Sequence, residues 1–169
     1  EVIEAAKQAL DRYGMGAAGS PVLSGTMDVH LELERELALF KNKPACLLFP
    51  TGYSTNLGLI QGLMRPGDLI VADQNSHASI VDGAILSKAD VRFFRHNRPE
   101  DLEKKLQVAS GKKLVIVEGV YSMEGHVCRL PELNEIAESN GCFTVLDDAH
   151  GFGVLGRQGR GTVDHFGLT

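Results

Sequence analysis

Apolar and polar positions change their period once along this chain. Val2, Ile3, Ala6, Ala9, Leu10 and Tyr13 recur at helical spacing, and Gly14 ends that pattern. A glycine-rich loop continues through Gly25. Asp28 then stands where an N-cap is expected, ahead of a second helical stripe of Val29, Leu33, Leu37 and Phe40. Beyond this point the period shortens. Ala45–Phe49, Asp68–Ala72, Val91–Arg95, Leu114–Glu118 and Phe143–Leu146 are short apolar or β-rich runs bounded by turn residues, and they read as strands. Ser54–Met64, Ala78–Ser87, Pro99–Ala109 and Pro131–Asn140 lie between them and read as helices. Strands alternating with helices predict an α/β fold: a mostly parallel sheet with helices on both faces. No repeat, low-complexity run or long linker interrupts the alternation, so the expectation is one α/β domain.

The bulk numbers refine this picture only slightly. At 169 residues, 43% hydrophobic and 23% charged, the chain is large enough for one substantial core and has an ordinary globular composition. A net charge of −5 offers no electrostatic footprint for nucleic acid. No run approaches the roughly 18 uninterrupted apolar residues that a membrane span needs. The opening residues Glu1 to Lys7 are amphipathic and carry acid, unlike a secretory signal. Cys46, Cys128 and Cys142 have neither metal-ligand nor redox spacing; with two of them beside apolar runs, they read as small buried hydrophobes in a reducing, cytoplasmic setting. No metal site is expected. The chain lacks an initiator Met and opens inside a helical pattern, which gives the expectation of a piece of a longer protein.

Candidate chemistry concentrates where strands end. Thr144-Val-Leu-Asp-Asp-Ala-His150-Gly-Phe-Gly153 reads as a buried strand that closes on two carboxylates and then an imidazole. Strand ends hold side chains on rigid backbone at the mouth of a crevice. An acid there and a His just beyond it can grip two atoms of one flat ligand, polar at its edges and open to a positive charge. Two segments match G-x-G-x-x-G, yet neither has the context of a dinucleotide loop. Gly14-Met-Gly16-Ala-Ala-Gly19 follows a helix, and Gly151-Phe-Gly153-Val-Leu-Gly156 runs into Arg157-Gln-Gly-Arg-Gly161 rather than an apolar helix.

Three further segments share the strand-end setting. Thr51-Gly52-Tyr53 precedes a helix, where unpaired N–H groups can hold a phosphate and Gly52 permits close approach; the plain alternative is a strand-to-helix turn. His77, in Asn75-Ser-His77-Ala-Ser79, can stack on a ring or bind a carboxylate, or it decorates a loop. Glu118 and Ser122, in Glu118-Gly-Val-Tyr-Ser122-Met-Glu-Gly125, bring an acid and a hydroxyl that reads equally as a turn residue. Their convergence on one edge of a parallel sheet says more than any one of them. His30, His96, His126, His165, Arg157 and Arg160 receive no role.

These residues resemble the α-oxoamine synthase family of pyridoxal-phosphate enzymes, in the aspartate-aminotransferase fold class. The resemblance spans nearly the whole chain through Gly19-Ser-Pro-Val-Leu-Ser-Gly-Thr26, Thr51-Gly-Tyr53, Ser76-His-Ala-Ser-Ile80, Glu118-Gly-Val-Tyr-Ser-Met123, Asp147-Asp-Ala-His150 and Gly159-Arg-Gly161. Phe94-Arg-His-Asn97, the run Gly119 to Gly125 and Arg129-Leu-Pro131 look most like the serine palmitoyltransferases, with the 8-amino-7-oxononanoate synthases and 2-amino-3-ketobutyrate ligases close behind.

The resemblance implies a role for each motif, on the large pyridoxal-phosphate-binding domain of a fold-type I enzyme. Asp147 pairs with the pyridinium nitrogen, holding the proton that keeps the ring an electron sink. His150 bonds the phenolic oxygen, Ser122 adds a polar contact, His77 stacks on the ring and places the amino-acid carboxylate, and the amides of Gly52 and Tyr53 take the phosphate. Glu118 lines the same pocket. The implied reaction condenses serine, glycine or alanine with an acyl-CoA, usually with decarboxylation, to an α-amino ketone in a homodimer. The family's Schiff-base lysine lies beyond Thr169, and its N-terminal arm and C-terminal small domain are likewise not represented. Lys88, Lys104, Lys105, Lys112 and Lys113 stand in helix or strand-start contexts and are no substitutes. The rival reading is a non-catalytic scaffold subunit of a heterodimer; Asp147, His150 and His77 in matching places favour the enzyme.

Overall fold

The structure, a computed structural model, describes residues 1–107 and 111–168. The chain divides into two compact units, Glu1–Leu48 and Phe49–Thr169. In the first, α1 (Val2–Tyr13) and α2 (Asp28–Phe40) flank a π-helical turn at Pro21–Gly25. That turn needs glycine at its end, because a Cβ on Gly25 would stand 2.0 Å from the carbonyl oxygen of Gly19. Asp28 is the first residue of α2 rather than its cap. The Met27 N–H at the cap position is instead taken by His30 Nδ1 at 3.0 Å, a side chain reaching back from the first turn. Asp28 pairs with Arg12 at 2.6 Å, and a hydrogen bond from Tyr13 is the main cause holding its carboxyl below the usual range.

Ala45–Phe49 forms no strand. The run is apolar, but Leu47 is 73% exposed and no neighbouring strand takes up its backbone, so local composition alone does not make it one.

The second unit contains the sheet. β1 (Leu69–Asp73), β2 (Asp90–Phe94), β3 (Lys113–Glu118) and β4 (Phe143–Asp147) lie in the order β2-β1-β3-β4, all parallel. Side chains alternate faces along each strand. Ile70, Ala72, Leu114 and Ile116 pack against Ile60, Met64, Ile80 and Ala84 of α3 (Gly52–Leu63, with its C-cap Met64) and α4 (Ala78–Ser87). Leu69, Val71, Val115 and Val117 face the other way, onto Leu102 and Leu106 of α5 (Pro99–Leu106) and Leu133 and Ala137 of α6 (Leu130–Ser139). The result is the three-layer arrangement expected from the sequence. The expected end of α5 at Ala109 lies outside the described residues. β1 and β3, central in the order, are buried almost throughout, whereas β2 and β4 are partly exposed.

The connection from β1 leads to β2 on one side, and the chain then crosses to β3 and β4 on the other. Loops leaving β1 and β3 therefore diverge, opening a crevice outside their carboxyl ends, where ligands bind in open α/β sheets. A short α7 (Thr162–His165) closes the described chain. No helix among the described residues is long and apolar enough to cross a membrane.

Candidate active site

Glu118 and Asp147 end adjacent strands in register, and the β1 loop delivers His77 beside them. The His77 N–H donates to Glu118 Oε1 at 2.5 Å, a bond that spans the mouth between β1 and β3. Glu118 is buried, and burial pushes its pKa up. The charge of Asp147 pushes the same way, while the His77 N–H and the nearby His77 and His150 rings oppose it. Asp147, His77 and His150 thus all lie within the electrostatic reach of one buried carboxyl.

The two carboxylates at the end of β4, Asp147 its last residue and Asp148 the next, take different partners. Asp147 Oδ2 accepts from Asn56 Nδ2 at 2.8 Å, and Oδ1 accepts from the Ala149 N–H at 3.2 Å. Asp148 takes the Thr162 hydroxyl at 2.6 Å and the Thr162 N–H at 3.1 Å. Gly119 and Gly151 wall this second node so closely that a Cβ on either would stand within 2.5 Å of both Asp148 Oδ1 and Thr162 Oγ1. Asp147 is thus tied to α3 through Asn56, and Asp148 braces the loop carrying His150.

His77 caps α4, its Nδ1 accepting from the Ser79 N–H at 3.2 Å and meeting Ser79 Oγ at 2.7 Å. Asn56, on the buried face of α3, gives one N–H to Ser79 Oγ at 2.9 Å and the other to Asp147. Asn56 and Ser79 went unread in the sequence, although a signal was there. Asn56 lies four and eight residues before Ile60 and Met64, on the stripe that α3 buries, where a polar residue needs a partner.

α3 opens one turn before Asn56. Thr51 and Ser54 cap it reciprocally, the Thr51 hydroxyl accepting from the Ser54 N–H at 3.0 Å. The amides of Gly52 and Tyr53 are left unclaimed by this box, and a Cβ on Gly52 would point into open space, with nothing beyond its chain neighbours and its own helix backbone within 4 Å. The Tyr53 hydroxyl donates to Asp82 on α4, which pushes the phenol's pKa up. Ser122 and His150 sit exposed in turns after β3 and β4. The Ser122 loop is tied back to the His77 loop through Asn75 Nδ2 and Glu124 Oε1 at 2.8 Å. Gly151 to Gly156 continues in turns rather than a helix, as the dinucleotide motif's poor context suggested. Lys112 and Lys113 lie at the start of β3, the opposite edge from Glu118.

A second polar cluster escaped the sequence reading. Asp73, fully buried at the end of β1, accepts from the N–H groups of Asn75 (2.8 Å) and Asn97 (2.7 Å) and contacts His96 Nδ1 at 3.0 Å. His96 Nε2 in turn meets His126 Nδ1 at 3.0 Å. These partners come from three separate loops, and no local spacing announces them. Among the described residues no group of acids, His and Cys is suited to hold a metal ion. The apolar cavities of about 200 and 300 Å³ flank β4 and include none of these residues.

The family model for aminotransferase class I and II matches residues 1–166. An 8-amino-7-oxononanoate synthase from Alkaliphilus metalliredigens is 48% identical over 99% of this chain and 43% of its own length. A serine palmitoyltransferase from Bacteroides ovatus is likewise 48% identical over 99% of this chain and 43% of its length. Among solved structures, a serine palmitoyltransferase variant from S. paucimobilis with bound PLP-myriocin aldimine superposes with a TM-score of 0.96 at 41% identity, covering 99% of this chain and 44% of that one. The chain thus spans less than half the length of the relatives it matches.

Proposed function

Because the chain belongs to the class I and II aminotransferase family, we propose that it forms the cofactor-binding part of a pyridoxal-phosphate-dependent acyltransferase, an α-oxoamine synthase. The substrates are an amino acid (serine, glycine or alanine) and an acyl-CoA, and the product is an α-amino ketone. The names of the similar proteins support this reading, and so does the PLP named with one of them. The observation that carries it is the pair Asp147 and His77, held at the switch point of a parallel sheet by one hydrogen-bonded network.

The donor set fits pyridoxal phosphate. Two acceptor positions of Asp147 are occupied by Asn56 and Ala149, leaving others open to a ring N–H. The unclaimed amides of Gly52 and Tyr53, at the positive end of a 12-residue helix, suit a phosphate, and the open space at Gly52 lets it approach. When bound, pyridoxal phosphate supplies an electron sink for the charge left at the amino acid's α-carbon. Asp147 holds a proton at the ring nitrogen, which a carboxylate does and an amide does not. His77 would stack on the ring and, through Nε2, help place the amino-acid carboxylate. His150 would bond the phenolic oxygen and Ser122 would add a polar contact, while Glu118 anchors His77 through its backbone. The whole protein acts as a homodimer in the cytoplasm.

The test is a spectroscopic titration of the full-length protein with pyridoxal phosphate, followed by serine, glycine and alanine, each paired with a panel of acyl-CoA chain lengths. Saturable cofactor binding and release of the CoA thiol with at least one pair are expected. No cofactor binding overturns the reading; cofactor binding without thiol release from any pair replaces the enzyme with a scaffold subunit.

A further inference from the structure

We propose that Asn56 and Ser79 are positioning residues that lock the ring-nitrogen acid and the ring-stacking histidine into one unit and set the tautomer of His77. The inference rests on the pyridoxal-phosphate reading above. Its evidence is the direction in which each hydrogen bond has to run. Asn56 Nδ2 has two N–H donors and no acceptor capacity. It spends one on Asp147 Oδ2 at 2.8 Å and the other on Ser79 Oγ at 2.9 Å. Ser79 Oγ therefore accepts from Asn56, and its own O–H is free to donate to His77 Nδ1 at 2.7 Å. The Ser79 N–H points at the same nitrogen from 3.2 Å. With two donors aimed at Nδ1, the neutral ring carries its proton on Nε2. The chain of bonds ends in an Nε2–H donor on the exposed side of His77 and begins at the carboxylate of Asp147.

The placement makes the network rigid. Asn56 and Ser79 are both buried, on the facing sides of α3 and α4, which pack on one sheet face. A buried amide whose two donors are both used has a single orientation. Asp147 and His77, 70 residues apart in sequence, are thus registered to each other through two buried side chains.

Two measurements on the full-length protein test this. In the first, ¹⁵N-histidine-labelled protein without added pyridoxal phosphate is examined for the side-chain nitrogen shifts of His77. The wild type is expected to show Nε2–H. In Ser79→Ala, where only the longer backbone bond to Nδ1 survives, the shifts should move toward a mixture of tautomers. A wild-type signal with the proton on Nδ1 overturns the network whatever the cofactor does.

In the second, pyridoxal-phosphate affinity is measured for wild type, Asn56→Ala and Asn56→Asp across pH, with unfolding midpoints confirming that each variant folds. Loss of a donor to a charged group predicts affinity lower by about tenfold to hundredfold in Asn56→Ala. Asn56→Asp keeps the shape but sets a second carboxylate against Asp147. It should bind worse than the alanine variant at pH 8 and recover as pH falls, once the new acid is protonated and can donate again. A merely space-filling role predicts the reverse order and no pH dependence, and that result overturns the proposal. If the wild type binds no pyridoxal phosphate, the functional reading fails as well, a different outcome from variants that bind as tightly as a binding-competent wild type.

Discussion

Glu118→Gln isolates the cost of keeping a carboxyl at the centre of the site. Glu118 is 4% exposed, and its pKa is raised chiefly by burial and further by Asp147, against the opposing pull of the His77 N–H at 2.5 Å. A raised folded pKa means that the unfolded chain releases this proton at lower pH than the folded one. Glu118 then contributes stability that is fully present below the unfolded value, about 4.3, and is lost as pH rises through the folded value. Each unit of that rise removes about 1.4 kcal/mol at neutral pH. Glutamine keeps an oxygen for the His77 N–H and removes the charge, so the variant should come closest to wild type near pH 4 and exceed it at pH 8. For a domain of this size about 1 kcal/mol corresponds to roughly 2–4 °C in Tm. The assay is thermal unfolding of both proteins across pH 4–8, without added pyridoxal phosphate. A variant less stable than wild type at pH 8, or a difference that does not change with pH, would refute the reasoning.

Other outcomes follow from particular contacts. Gly151→Ala drives a Cβ to 2.2 Å from Asp148 Oδ1 and 2.3 Å from Thr162 Oγ1, and should cost about 1–3 kcal/mol in urea unfolding. A cost under about 0.5 kcal/mol would mean that the node is loose. Asp73→Ala removes the buried acceptor of two backbone N–H groups and of His96, and should destabilise by about 3–5 kcal/mol; a loss below 1 kcal/mol in the same assay would contradict that role. Cys128 is 1% exposed, and burial pushes its thiol up to about 12, so a disulfide reagent at pH 8 should react with it only at the rate of unfolding. Reaction in the native protein as fast as that of a model thiol would refute its burial.

Much of the scaffold was legible because β1, β3 and the helices between them repeat their periods cleanly. Leu69–Asp73 is uninterruptedly apolar up to its last residue, as a central parallel strand requires, and Pro99 and Pro131 fall in the first turns of α5 and α6. Ala45–Phe49 misled for the same reason: composition announces a strand, but only a neighbour makes one. At the candidate site, the meeting of Asp147, His77 and Glu118 was legible because strand ends advertise themselves. Asn56 and Ser79 were not, since their partners are 91 and 23 residues from Asn56 and helical Asn and Ser usually face water. His96 and His126, 30 residues apart, meet only after folding. Asp147 and Asp148 look alike in sequence, and only the fold gives them different partners, Asn56 and Thr162.

The most direct test of the account is the dissociation constant for pyridoxal phosphate of the full-length protein and its Asp147→Ala variant, read from the cofactor's absorbance with folding checked by circular dichroism. The account predicts saturable binding by wild type, and binding weakened about tenfold or more in a variant that still folds. Equal dissociation constants for the two proteins would contradict it, because the carboxylate at the end of β4 would then have no part in holding the ring.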